Sequence, residues 1–289
     1  MTVPLLRISG LRLEIDGRPV LRGVDLSVAE SQVAGLVGES GAGKSMVGRV
    51  VLGLYPGNAR VTGGQVRFGT RDLLDLGAAT RESILGREIA LIPQNPMTAL
   101  NPVERIERQI SDVLRMHLAL RASGARARSL ELLDAVQIRD PQRVLRQYPH
   151  ELSGGMRQRI LIAIAFACGP RLVIADEPTT ALDVTVQKQC LRLIRTLQRR
   201  HGTAVLFISH DLGVVAKVCD TVSVMHSGRV VEAASAAQLF AAPTHAYTRA
   251  LLAATPRFDR PGEALAPIPE ALGRELLEEA VRLDRQRAS

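Results

Sequence analysis

Gly38-Glu39-Ser40-Gly41-Ala42-Gly43-Lys44-Ser45 is the stretch on which the reading of this chain turns. It follows the apolar run Val33-Ala34-Gly35-Leu36-Val37 and precedes residues 46–54, which read as helix. Strand, glycine-rich loop and helix is the order that a phosphate-binding loop requires. Glycines let backbone N–H groups turn inward around an anion, and the new helix adds its positive dipole end. Lys44 is placed to reach the β- and γ-phosphates of a nucleoside triphosphate, and the Ser45 hydroxyl to hold Mg²⁺. Gly38, Glu39, Ser40, Gly41, Ala42 and Gly43 form the cradle.

Working outward, residues 5–28 read as antiparallel strands turning at Asp16-Gly17, a dipeptide suited to a tight hairpin. Residues 57–64 are expected to be a loop, 65–68 a strand, and 89–92 a short buried strand. Residues 103–120 and 126–136 carry apolar positions at three- and four-residue spacing, a helical insertion bounded by Pro102 and Pro149. Buried strands at 172–175 and 204–208 then flank a helix at 184–200. Strands alternating with helices imply a mostly parallel sheet covered on both faces. After Thr255 the chain becomes a tail, extended where prolines 256, 261, 267 and 269 fall. From 270 to 287 it reads as a charged helix with Leu272, Leu276 and Leu283 on one side.

The chain of 289 residues is 46% hydrophobic, a globular composition. No apolar run approaches a membrane span, and Met1-Thr2-Val3-Pro4 does not open a secretory signal, so a cytosolic protein is expected. Its net charge of +8 permits an anionic partner. The arginines are dispersed and aromatics are only 3%, however, so stacking platforms for nucleic acid are scarce and none is expected as a partner. Cys168, Cys190 and Cys219 are far apart and embedded in apolar segments, as buried thiols would be.

Two further stretches carry chemistry. Asp176 closes the strand at 172–175, where ligand groups in open parallel sheets gather, and Glu177 follows it. That pair can divide the work: Asp176 on the metal through water, Glu177 accepting a proton from the attacking water. In Leu152-Ser153-Gly154-Gly155-Met156-Arg157-Gln158, Ser153 is a natural N-cap for a helix from about Met156 to Ala167. The two glycines leave backbone amides open, a second anion-binding arrangement.

On these motifs the sequence resembles the ATP-binding subunits of ABC transporters from about residue 5 to 256. They stand in the family's order: 38–45 (Walker A), Gln94 (Q-loop), 152–158 (signature), Asp176-Glu177 (Walker B and catalytic glutamate), Ala181-Leu182-Asp183 (D-loop) and His210 (H-loop). The resemblance implies an α/β P-loop NTPase domain over 1–255, with an antiparallel β-subdomain, a helical subdomain inserted at about 96–155, and an appendage at 256–289. It implies two subunits, this chain with a homologous chain or with itself, sandwiching two ATPs head to tail. Lys44, Ser45, Gln94, Asp176, Glu177 and His210 would serve one ATP, with Gln94 touching Mg²⁺ and the attacking water and His210 the γ-phosphate. Ser153, Gly154 and Gly155, with Gln158 of the same motif, would cap the other, and Asp183 of the D-loop would be a further nucleotide-binding residue.

A narrower resemblance rests on Gln94-Asn95-Pro96-Met97-Thr98-Ala99-Leu100-Asn101-Pro102, Tyr148-Pro149-His150-Glu151-Leu152 and Pro243-Thr244-His245-Ala246-Tyr247-Thr248-Arg249-Ala250-Leu251-Leu252. These look like the oligopeptide, dipeptide and nickel importer branch. It implies two membrane permeases, an extracytoplasmic binding protein as an indirect partner, and a place at the cytoplasmic face of the inner membrane. Peptide, nickel and metal chelates stay open as substrates. The chain departs from the family in three places. No aromatic precedes Tyr55, so adenine is expected to pack on Ile15 and Val20. No cysteine follows Cys219, which excludes the branch's iron–sulfur site. Asn95 stands where the branch has Asp.

Rivals fall on single features. A DNA-repair ATPase would need a long coiled-coil or zinc insertion, a translation-associated protein two cassettes, and a P-loop kinase would not use Ser153-Gly154-Gly155.

Overall fold

The structure is a computed structural model describing residues 4–180, 182–255 and 267–288, side chains excepted at 285, 287 and 288. Expectations for residues 1–3, Ala181, Pro256 and Pro261 lie outside those residues. In chain order the strands are β1 (Leu6–Ile15), β2 (Arg18–Val28), β3 (Val33–Val37), β4 (Ala59–Phe68), β5 (Arg71–Asp72), β6 (Ile89–Ile92), β7 (Leu172–Asp176), β8 (Ala204–Ser209), β9 (Thr221–His226) and β10 (Arg229–Ser235). The helices are α1 (Lys44–Leu52), α2 (Ala78–Ile84), α3 (Pro96–Ala99), α4 (Ile106–Leu118), α5 (Ala122–Ala135), α6 (Pro141–Arg146), α7 (Gly154–Phe166), α8 (Val184–His201), α9 (Leu212–Val218), α10 (Ala236–Ala241), α11 (Ala246–Ala253) and α12 (Glu270–Ala288). The chain divides into two compact units, residues 1–76 with 206–289, and residues 77–205.

In the first unit, β2, β1, β4 and β5 form an antiparallel sheet in that order. Alternation does the work in β1: Leu6, Ile8, Leu11 and Leu13 are all buried. The switch in phase between Ile8 and Leu11 is a bulge at Gly10, visible as register shifts against both neighbours. The expected loop at 57–64 is instead mostly strand, since Ala59, Arg60, Val61 and Gly63 pair with Ile15, Glu14, Leu13 and Arg12. Gly63-Gly64 reads as loop, but it marks where β4 crosses that bulge. A Cβ on Gly64 would stand 2.6 Å from the Gly10 carbonyl oxygen.

β3 lies parallel to β9, and β10 returns antiparallel to β9. All five residues of β3 are buried, as a strand covered on both faces must be. α12 forms where the charged helix was expected, with Ala280 buried and the Asp284 carboxylate on two arginines. Arg12 Nη1 lies 3.1 Å from Asp284 Oδ1, and Arg22 Nη1 bonds Oδ2. The tail is thus fastened to β1 and β2.

In the second unit β6 and β7 pair in parallel. The helical segment holds α4 and α5 within a few residues of the expected bounds, with Ile106, Ile110 and Leu114 buried at four-residue spacing. It also holds α6, which Pro141 at the helix start and the Asp140 cap on the Arg143 amide (3.2 Å) make possible in six residues. α7 is apolar nearly all round: Ile160, Leu161, Ile162, Ala163, Ala165 and Phe166 are buried. Cys190 and Cys219 are the buried thiols expected, whereas Cys168 is only part-buried.

Candidate nucleotide site

In the first unit, residues 38–45 leave β3 and enter α1 two residues earlier than the sequence suggested. Gly43 occupies the N-cap position in a left-handed conformation with no side-chain cap, so the helix start keeps its amides for a ligand. Gly38 is the residue that only glycine can fill. Its φ is +152°, and a Cβ there would stand 2.1 Å from the Met225 carbonyl oxygen. The loop is therefore folded back against β9, and the Gly228 amide donates to Ala42 O at 3.1 Å from the following turn.

Lys44 is 4% exposed, and its ammonium donates to Gly38 O and Glu39 O at 2.9 Å each. A buried lysine is tolerated only where its charge is answered, and here carbonyl oxygens of the loop do so. Ser45, the second residue of α1, is part-buried. Ile15 and Val20, at the β1–β2 turn, are part-exposed aliphatic surface. His210 stands exposed between β8 and the Asp211 side chain that caps α9 by accepting from the Val214 amide (3.0 Å).

In the second unit Asp176 ends β7, part-exposed. Glu177 follows with a φ of +46°, a conformation that costs a non-glycine residue about 1–3 kcal/mol. Its carboxylate accepts from Gln94 Nε2 at 2.9 Å and from Thr180 Oγ1 at 3.0 Å. The structure thereby brings together the two residues named for the attacking water and adds Thr180, which no reading of the sequence had singled out. Asn95 Oδ1 accepts from the Met97 amide at 2.9 Å and caps α3, a bond that the branch's Asp would make equally.

The signature stretch starts its helix at Gly154 rather than Met156, so both glycines are helical and their amides belong to the open first turn. Ser153 caps it, its Oγ accepting from the Met156 amide at 3.3 Å, and is exposed. Asp183 caps α8, Oδ1 accepting from the Thr185 and Val186 amides at 3.0 and 2.9 Å. Gln158 departs from its expected role. Its side chain is 0% exposed with neither amide atom hydrogen-bonded, so it faces the interior and not a ligand. Gly154 and Gln158 share one helix face, but one turn in from the open helix start Gln158 lies among the buried residues of α7.

Tyr247 stands in the motif at 243–252, where the sequence alone assigns it no role. It is fully buried, its ring set edge-on against His226 with centroids 4.5 Å apart, and its hydroxyl lies 3.0 Å from Glu39 Oε2. The segment before it is held by Glu232, which accepts from Thr244 N (2.7 Å), Thr244 Oγ1 (2.8 Å) and His245 N (3.1 Å). Burial of that carboxyl opposes its ionisation, but the Thr248 hydroxyl, together with these Thr244 and His245 donors, outweighs it and pulls its pKa down to about 2.

Comparison with known proteins places these features. The family described as "ABC transporter" matches residues 21–180, and the "Oligopeptide/dipeptide transporter, C-terminal region" matches 231–278. A probable peptide ABC transporter ATP-binding protein of Sinorhizobium fredii is 50% identical over 88% of this chain and 75% of that protein. A probable D,D-dipeptide transport ATP-binding protein of Escherichia coli is 46% identical over 93% and 84%. In fold, the chain is similar to a dimeric ATP-binding cassette in a post-hydrolysis state with ADP and phosphate. That likeness has a TM-score of 0.70 at 24% identity, over 80% of this chain and 98% of that one. Sequence motifs, α/β architecture and these matches agree: the chain belongs to the ABC transporter family, among its ATP-binding proteins.

Proposed function

We propose that this chain is the ATP-hydrolysing subunit of an importer that takes up peptides, with dipeptides and short oligopeptides as the substrate class. The match of 231–278 to the oligopeptide/dipeptide C-terminal region and the names of its relatives support peptide over nickel. The subunit would work as a head-to-tail dimer with a homologous chain or a second copy, beneath two permeases served by an extracytoplasmic binding protein. It would sit peripherally at the cytoplasmic face. No helix among the described residues is long and apolar enough to cross a membrane, which fits attachment through a partner. We read residues 1–255 as the nucleotide-binding domain, about 96–155 as its inserted helical part, and 256–289 as an appendage.

ATP fits the first unit's residues: the folded-back loop 38–45 presents helix-start amides, and Lys44 supplies a cation beneath it. The resemblance assigns Mg²⁺ to Ser45 of the first unit and to Asp176 and Gln94 of the second, and a hydroxyl, a carboxylate and an amide oxygen are each the hard oxygen donor that Mg²⁺ prefers. When bound, Mg²⁺ would neutralise charge on the transferring phosphoryl group. The chain's own contribution is proton handling. Glu177 would take a proton from the water whose oxygen bonds to the γ-phosphorus, as the bond to the β-bridging oxygen breaks and ADP leaves. His210 would contact the γ-phosphate, Ile15 and Val20 the adenine, and Ser153, Gly154 and Gly155 the γ-phosphate of the ATP held by the other subunit.

The observation that carries this reading is the Gln94–Glu177 contact at the end of β7, a base held beside the group that positions water. Glu177→Gln should cut ATP hydrolysis by about a hundredfold or more and trap an ATP-bound dimer on a sizing column. A monomeric variant with ATP present, or undiminished hydrolysis, refutes it.

A further inference from the structure

Tyr247 lies 208 positions from Glu39, yet its hydroxyl meets both that residue's carboxylate and its backbone amide. It donates to Glu39 Oε2 at 3.0 Å and accepts from the Glu39 backbone amide at 3.4 Å. Burial first, then the Glu39 bond and charge, push the phenol's pKa up, which keeps the hydroxyl protonated and donating. Glu39 is a cradle residue whose carbonyl also accepts from the Lys44 ammonium and from the Ala42 amide. One hydroxyl thus grips the loop at the residue that sets the height of the lysine.

Behind Tyr247 the support is continuous. His245 Nδ1 accepts from the Tyr247 amide at 3.1 Å and caps α11, and Glu232 on β10 fixes the 244–245 backbone. Arg249 Nη1 ties α11 back to Thr244 O at 2.7 Å, and His226 braces the ring. Glu232, His245, Tyr247 and Arg249 all fall within the matched C-terminal region, 231–278. Glu39 itself is exposed, so its side chain is held by the Tyr247 hydroxyl and the nearby His226 rather than by burial.

We propose that Tyr247 is a positioning residue for ATP binding: acting through Glu39, it holds loop 38–45 in its phosphate-ready shape and couples the C-terminal region to nucleotide occupancy. The inference rests on the reading of 38–45 as an ATP site. Coupling is reciprocal, so nucleotide should in turn protect α11.

Mg²⁺-ATP affinity of the full chain, measured by titration calorimetry, tests it with Tyr247→Phe, Glu39→Ala and the double variant. Each single change should weaken ATP binding about three- to tenfold, the size of one hydrogen bond. The double should be no weaker than the worse single, because both remove one contact. A merely structural tyrosine would lower thermal stability in both backgrounds and leave ATP affinity alone. Wild-type affinity in either folded variant, or additive losses, overturns the proposal. Glu39→Ala lies on the surface and keeps the test decisive should Tyr247→Phe fail to fold. Absence of ATP binding by the wild type would instead refute the reading of the loop.

Discussion

The chain has two glycine-rich helix starts, and they solve the same problem in opposite ways. At 38–45 the glycines adopt positive φ, the loop is pressed onto Met225, and Lys44 is buried beneath it. At 153–155 the glycines are ordinary helical residues, the cap is an exposed serine, and the buried cation nearby, Arg157, is spent on the Leu152 carbonyl (Nε to O, 3.1 Å). The first is an anion cradle finished within one chain. The second is an open helix end that offers amides outward, useful only when another surface brings the anion to it. In the head-to-tail dimer proposed above, two chains with one of each would make two complete sites.

The contrast breaks first at Gly38. Gly38→Ala puts a methyl 2.1 Å from a backbone oxygen. About 3 kcal/mol of strain should cost ATP affinity about a hundredfold, measured by calorimetry on the folded variant. Near-normal binding would show that the loop is not pre-shaped. Ser153→Ala should separate the two ends. Loss of the cap costs about 1 kcal/mol in thermal unfolding, with ATP binding to a single subunit unchanged. Turnover by the assembled dimer should fall about tenfold, one charge-assisted hydrogen bond. Weaker binding by the lone subunit would mean that the second glycine stretch serves its own chain's nucleotide. The smallest effect sharpens the contrast between phosphate and base. Ile15→Tyr adds a stacking face at the bare adenine end and should tighten ATP about two- to tenfold, with little change for inorganic triphosphate. Equal affinity in the variant would place the adenine elsewhere.

Most of this was legible because it is local. Asp16-Gly17 turns the first hairpin, the apolar runs at 33–37 and 172–175 are buried strands, and Ser153, Asp176 and Glu177 sit where spacing put them. What was missed is non-local. Gly63-Gly64 signals a loop until Gly10 is seen opposite, since the bulge belongs to two strands and neither sequence shows it alone. α6 is too short to display a period, and only Asp140-Pro141 marks it. Gln158 reads as ligand-facing by motif membership, although one turn inside α7 it is buried. Tyr247 was visible as a motif letter, but its meaning depends on Glu39 far earlier in the chain.

The clasp of Asp284 on Arg12 and Arg22 also has a bearing on how the molecule is made. Arg12 and its carboxylate are 272 residues apart, so a ribosome delivers the arginines long before their counter-charge. During that interval the β1–β2 hairpin carries two guanidiniums on a surface that later becomes part-buried. Such a sheet can hydrate those cations while it waits, and their charge discourages early strand-to-strand sticking. The last turns of α12 then act as a latch that closes only once residue 284 has been made, long after the hairpin it fastens.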